Sequence, residues 1–249
     1  MPPDVAPATP VVTPPTREVF DIYLLMGQSN MAGRDTRALA SQVDNPRILA
    51  LDAEGQWVVA RDPIHGKDGR TIPGAGPGIA FAAEMLKVNP KVTIGLVPCA
   101  VGGMPLKRWV KEGDLYERAV ARAKAVFQTG VIKGVLWHQG ETDTTKPEWA
   151  NAYEPRLTQM LKDLRQDLGL PDLPVVVGQL GDFLSQTPGK YPCVDAVRGA
   201  IKQVPAAVPH VGYADSAGLG DKGDKLHFSA DAQAEMGARY AKTMQELQR

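Results

Sequence analysis

The sequence predicts an α/β protein, a three-layer α/β/α sandwich around a central, mainly parallel sheet. Three observations predict it. Short apolar runs alternate with stretches of helical periodicity. The runs are continuous rather than alternating, as strands buried on both faces of a parallel sheet require. Several end at a glycine followed by polar side chains, and open α/β sheets collect their reactive groups at such strand ends.

The elements follow in chain order. Residues 1–17, MPPDVAPATPVVTPPTR, are crowded with proline and read as an extended arm or linker. They lack the charged start and apolar core of a signal peptide. Residues 18–249 read as one domain. Strand candidates are 19–26 (VFDIYLLM), the weaker 47–51 (RILAL), 91–100 (KVTIGLVPCA), 131–138 (VIKGVLWH), 173–180 (LPVVVGQL) and the short 210–214 (HVGYA). Between them lie helices. One runs from Ile79 to Val88 after a Gly-Pro-Gly turn. Asp114 is placed to cap another that reaches about Gln128, with Glu117 as its capping-box partner and Gly130 as the stop. Leu157, Leu161, Leu164 and Leu168 share a helical face that ends at Gly169, with Pro155 in the first turn. Ser229 is a candidate N-cap for a last helix that turns Met236, Tyr240 and Leu247 inward.

Composition narrows the function classes. The 249 residues are 43% hydrophobic and 22% charged, with zero formal net charge, so nothing points to a nucleic-acid backbone. No apolar run approaches the length of a membrane span. Cys99 and Cys193 form no metal-ligand spacing and read as unpaired, buried thiols, with a disulfide between them left open.

The chemistry concentrates in four short blocks. LLMGQSNMAG (24–33) carries Ser29 straight out of a buried strand, between the amides Gln28 and Asn30. A serine hydroxyl needs a base, a group to orient that base, and donors for the oxyanion. Only four histidines are present, and His227 in GDKLHFSADA has Asp224 three residues upstream, close enough in a turn to reach the imidazole. Ser29, Asp224, His227 is the chain order of α/β-hydrolases, although their GxSxG elbow is absent. Gly102 and Gly103 let backbone approach a reacting carbonyl. Gln139, in the block WHQGE (137–141), offers an uncharged donor.

Together GQSNMAG, the Gly102-Gly103 pair with Trp109 beyond it, WHQGE and the DxxH of 224–227 resemble the SGNH-hydrolase superfamily. Within it they are most similar to the sialate-O-acetylesterase-like branch that includes the acetylxylan esterases of carbohydrate esterase family six. GPGIAF (76–81) and the tail HFSADAQAEMGARYA add to the likeness, which covers residues 19–247. The resemblance implies a flavodoxin-like fold on a five-stranded sheet and removal of O-acetyl groups from sugars, with no metal or organic cofactor. It assigns Ser29 as nucleophile, His227 as base and Asp224 as orienting acid. It places the oxyanion hole at the Ser29 and Gly103 backbone N–H groups and the Gln139 side chain. Glu141 is a second candidate for the helper acid.

Other readings stay open beside these. Gln28 and Asn30 brace the loop, and either is also a candidate for direct substrate contact, Gln28 first. Trp109 either stacks on a sugar ring or closes the core. Arg108 either bonds a sugar hydroxyl or is a solvated surface charge. The expected partner is an acetylated carbohydrate, such as xylan. A sialate O-acetylesterase, a broad short-chain carboxylesterase and a catalytically silent sugar-binding module are the alternatives. Acetylated plant polysaccharide lies outside cells, and the proline-rich start fits export, so a secreted or periplasmic location is expected. Sugar preference should lie in the loops 34–46, 52–78 and 181–193.

Overall fold

A computed structural model describes residues 10–37, 44–66 and 72–249 of the chain. The first half of the arm and the centres of two of those loops lie outside the described residues.

Strand β1 (Phe20–Gly27) is the centre of the molecule. Phe20, Ile22, Leu24 and Met26 point into one apolar layer and Tyr23 and Leu25 into the other, the period-2 alternation of a strand covered on both faces. The first layer is closed by α3 (Asp114–Ala125), the short α4 (Pro147–Asn151) with α5 (Tyr153–Leu168) after it, and α6 (Val194–Ala207). The second is closed by α2 (Gly78–Val88) and α7 (Ala230–Leu247). This is the expected three-layer sandwich.

The sheet has seven strands among the described residues rather than five. The others are β2 (Ile48–Leu51), β3 (Trp57–Val59), β4 (Thr93–Pro98), β5 (Val131–His138), β6 (Val175–Gly178) and β7 (Val211–Ala214). Their order is β3-β2-β4-β1-β5-β6-β7, and only the β2–β3 pair is antiparallel. Three residues are too few to show a period, so β3 has no signature of its own. Its outer edge meets the proline-rich arm: Val11 bridges Val58, and the Val12 N–H donates to the Trp57 carbonyl at 2.7 Å. Such cover protects an edge strand from pairing with other chains.

Two helices differ from expectation. Gly113, not Asp114, is the N-cap of α3, because the Asp114 carboxylate is taken by Arg108; that helix stops at Ala125. α6 has no counterpart among the expected helices, although Val197, Ile201 and Val204 share one face. Elsewhere the local chemistry acts as read. Ser229 Oγ accepts from the Ala232 N–H, and Gly169 closes α5 at φ 66°. Both cysteines are free, Cys99 fully buried and Cys193 partly so.

Connections from β1 run toward β2 and β4 on one side, and the chain then crosses to β5, β6 and β7 on the other. β1 therefore ends at the point where the winding reverses, the usual place for a crevice in an open α/β sheet.

Candidate active site

β1 reaches this crevice through Gly27, whose φ is 130°. A Cβ there would lie 2.0 Å from the His138 carbonyl oxygen, so only glycine lets the two strand ends approach so closely. The Gln28 N–H then donates to that same carbonyl at 2.9 Å, and Ser29 opens the four-residue helix α1 (Ser29–Ala32). Gly103, at φ 71°, turns the loop after β4 along the opposite wall.

His227 arrives from the far end of the chain on a tight polar loop. Asp221 accepts from the N–H groups of Gly223 and Lys225. Asp224 Oδ1 accepts from the N–H groups of Leu226 and His227, at 3.0 and 2.8 Å. Its Oδ2 lies 2.7 Å from His227 Nδ1 and 3.1 Å from Lys222 Nζ. A nitrogen facing a carboxylate carries the proton, so neutral His227 has its lone pair on Nε2. That Nε2 stands 3.0 Å from Ser29 Oγ, across 198 positions of sequence.

Asn30 locks the two segments together. Its Nδ2 donates to the Leu226 carbonyl at 3.1 Å, and its Oδ1 accepts from the Phe228 N–H at 3.1 Å. Both neighbours of His227 are thus held by the residue after Ser29. The same Nδ2 donates to Glu141 Oε1.

Electrostatics separate the titratable groups. Burial lowers the His227 pKa and the Asp224 carboxylate opposes that shift, so the imidazole is neutral at pH 7. Burial also acts on Asp224, yet the hydrogen bonds from His227 and Leu226 outweigh it and hold the carboxyl well below its usual range. Glu141 behaves in the opposite way: burial pushes its carboxyl up to about 7. It lies 3.7 Å from His138 Nε2 and accepts from Asn30, and it makes no hydrogen bond or ion pair with His227. His138 is itself held neutral by burial, its pKa down to about 3, and its Nδ1 meets the Tyr240 hydroxyl at 2.8 Å. Among the described residues no group of three His, Cys, Asp or Glu side chains could hold a metal ion.

These groups face a cleft of about 300 Å³ lined by Gln28, Ser29, Gly102, Gly103, Glu141 and His227. Gln139 does not reach it. That side chain is fully buried, and its Nε2 is within hydrogen-bond distance of the Met104 carbonyl, Asp143 Oδ2 and Gln28 Oε1. Trp109 is a correction to the sugar-stacking reading. It is fully buried, edge-on to Trp137 at 5.4 Å, and closes the core beneath the glycine loop. Arg108 also leaves the site: its guanidinium pairs with Asp114 and touches Met104 Sδ. Cleft residues outside the sequence reading are Arg34, Thr142, Thr145, Tyr191 and Leu226. They belong to no motif block except Leu226, which lies inside DxxH, and Tyr191 comes from the loop 181–193.

The comparison that decides the family spans nearly the whole chain. The profile of the carbohydrate esterases described as sialic acid-specific acetylesterases matches residues 19–246. The chain belongs to that family. A probable carbohydrate esterase of Arabidopsis thaliana is 36% identical over 239 residues, covering 88% of each protein. The solved structure of that plant protein superposes with a TM-score of 0.80 at 34% identity, over 91% of this chain and 98% of that one. Two more distant structures share the fold of this carbohydrate esterase. NanS has a TM-score of 0.76 at 17% identity, over 94% of this chain and 99% of its own. A carbohydrate acetylesterase from Xanthomonas citri has a TM-score of 0.69 at 21% identity, over 91% of this chain and 56% of its own. The esterase is therefore a carboxylic ester hydrolase on a mostly parallel α/β sheet.

Proposed function

We propose that this esterase removes O-acetyl groups from carbohydrate, as an acetylxylan esterase does, through an acetyl-enzyme on Ser29. One observation carries the reading: the chain of contacts from Asp224 through His227 to Ser29, at 2.7 and 3.0 Å, opening on a cleft.

In the first half-reaction Ser29 Oγ attacks the acetyl carbonyl carbon while its proton passes to His227 Nε2. The negative charge that forms on the carbonyl oxygen faces the backbone N–H groups of Ser29 and Gly103. His227 returns the proton to the sugar oxygen as the C–O bond breaks. Water then repeats the attack with His227 again as base, and acetate leaves. Asp224 stays ionised throughout and balances the imidazolium.

The test has two parts. Ser29→Ala should lower hydrolysis of 4-nitrophenyl acetate by about 10³-fold or more; equal rates for the two proteins would remove Ser29 from the mechanism. Acetate release should then be measured on acetylated xylan, acetylated monosaccharides and O-acetyl sialic acid. Turnover on xylan fragments supports the acetylxylan reading, and turnover confined to O-acetyl sialic acid replaces it with the sialate one.

A further inference from the structure

We infer that the third donor of the oxyanion hole is the side-chain amide of Gln28, and that Gln139 positions Gln28 instead of donating to substrate. The inference rests on the proposed serine mechanism and reassigns one of its parts.

The argument is one of hydrogen-bond accounting. Gln139 Nε2 carries two hydrogens. The Met104 carbonyl at 3.1 Å can only accept, and Asp143 Oδ2 lies close to the same nitrogen. These acceptors identify the Gln139 atom as nitrogen; its Oε1 there would set oxygen against the carbonyl oxygen. Gln28 faces this nitrogen at 3.2 Å, the longest of the three contacts, where it shares a hydrogen with another acceptor; oxygen fits that place, since a second N–H there would oppose the Gln139 N–H. The planar Gln28 amide is thereby oriented, with Nε2 turned away from Gln139.

What Nε2 meets is the second half of the argument. No described residue accepts from it, yet it is not among the fully enclosed polar atoms without a partner, whereas Gln139 Oε1 is. Gln28 lines the cleft beside Ser29 and Gly103. Gln139 is fully buried and lines none of it. An unpartnered amide donor therefore borders the reacting serine, on a side chain that is only 2% exposed and whose oxygen is already engaged. Accepting at Oε1 also polarises the amide and strengthens its N–H as a donor.

The experiment compares Gln28→Ala, Gln28→Met, Gln139→Ala and the Gln28→Ala/Gln139→Ala double variant with wild type on 4-nitrophenyl acetate. Ser29 reactivity toward a fluorophosphonate probe is read in parallel. Loss of an oxyanion donor should lower kcat of both Gln28 variants by about 10²-fold or more with little change in KM. Gln28→Met keeps most of the side-chain bulk, so it reports even where the alanine variant folds poorly. Gln139→Ala should lose less, about 10-fold, and the double variant should be no worse than Gln28→Ala, since Gln139 acts only through Gln28. Gln28 variants that melt like wild type and keep kcat within about threefold overturn the inference alone. So does a Gln139→Ala loss larger than that of Gln28→Ala. A wild-type protein that neither hydrolyses the ester nor labels at Ser29 overturns the serine mechanism and this inference with it.

Discussion

At the scale of single residues, two carboxyls compete for one role, and burial separates them. The Asp224 side chain is about a third exposed and held ionised by N–H donors; Glu141 is enclosed, and burial pushes its carboxyl up to about 7. The anion fit to balance an imidazolium at pH 7 is Asp224. Replacing it with Asn removes the charge that opposes the burial of His227. The expected result is a fall in kcat of about 10³–10⁴-fold. The acid limb of the kcat/KM profile, which follows protonation of His227, should also move to lower pH. A pH–rate profile checks both. Loss of turnover in Glu141→Gln, with Asp224→Asn still active, would reverse the assignment.

At the scale of elements, the site depends on how closely strand ends meet. Gly27 combines a φ of 130° with a Cβ position inside the van der Waals radius of the His138 carbonyl oxygen. Gly27→Ala should destabilise the fold by about 2 kcal/mol or more, seen as a lower urea midpoint. It should also slow turnover, because relief of the clash parts the ends of β1 and β5, and the His138 carbonyl holds the Gln28 N–H next to Ser29. Local signals explain why most elements were legible: a Ser cap at residue 229, a left-handed glycine at 169 and a leucine face on α5 each act within a few residues. α6 carries a similar face, but its N-cap is Cys193, which makes no side-chain capping bond, so no local signal marks its start after the loop 181–193. β3 was illegible for a different reason, since its partners β2 and the arm, not its own three residues, make it a strand.

At the scale of the whole molecule, the buried carboxyls couple stability to pH. Glu141 rises from an ordinary value of 4.5 to about 7. Between those values the folded protein holds a proton that the unfolded chain has released, so stability falls as pH rises through the window. Glu141→Gln removes that dependence and keeps an oxygen for Asn30. Relative to wild type it should gain on the order of 3 kcal/mol between pH 4 and pH 8. Thermal melts at the two pH values check this, and a difference that does not change with pH would refute it. The cleft thus sits on a destabilising charge, a common condition of functional sites.

By itself the sequence determined the α/β class, the four motif blocks and the pairing of Asp224 with His227. Each depends on residues near one another in the chain, where spacing and turn chemistry suffice. Only the tertiary structure decided that Ser29 meets His227, that Trp109 closes the core and that Gln139 points at Gln28 and not at the cleft. Those outcomes depend on which strands lie side by side and on which way a side chain turns. Gln28 and Gln139 look equally available in one dimension; packing around β1 encloses Gln139 and leaves Gln28 on the lining of the cleft.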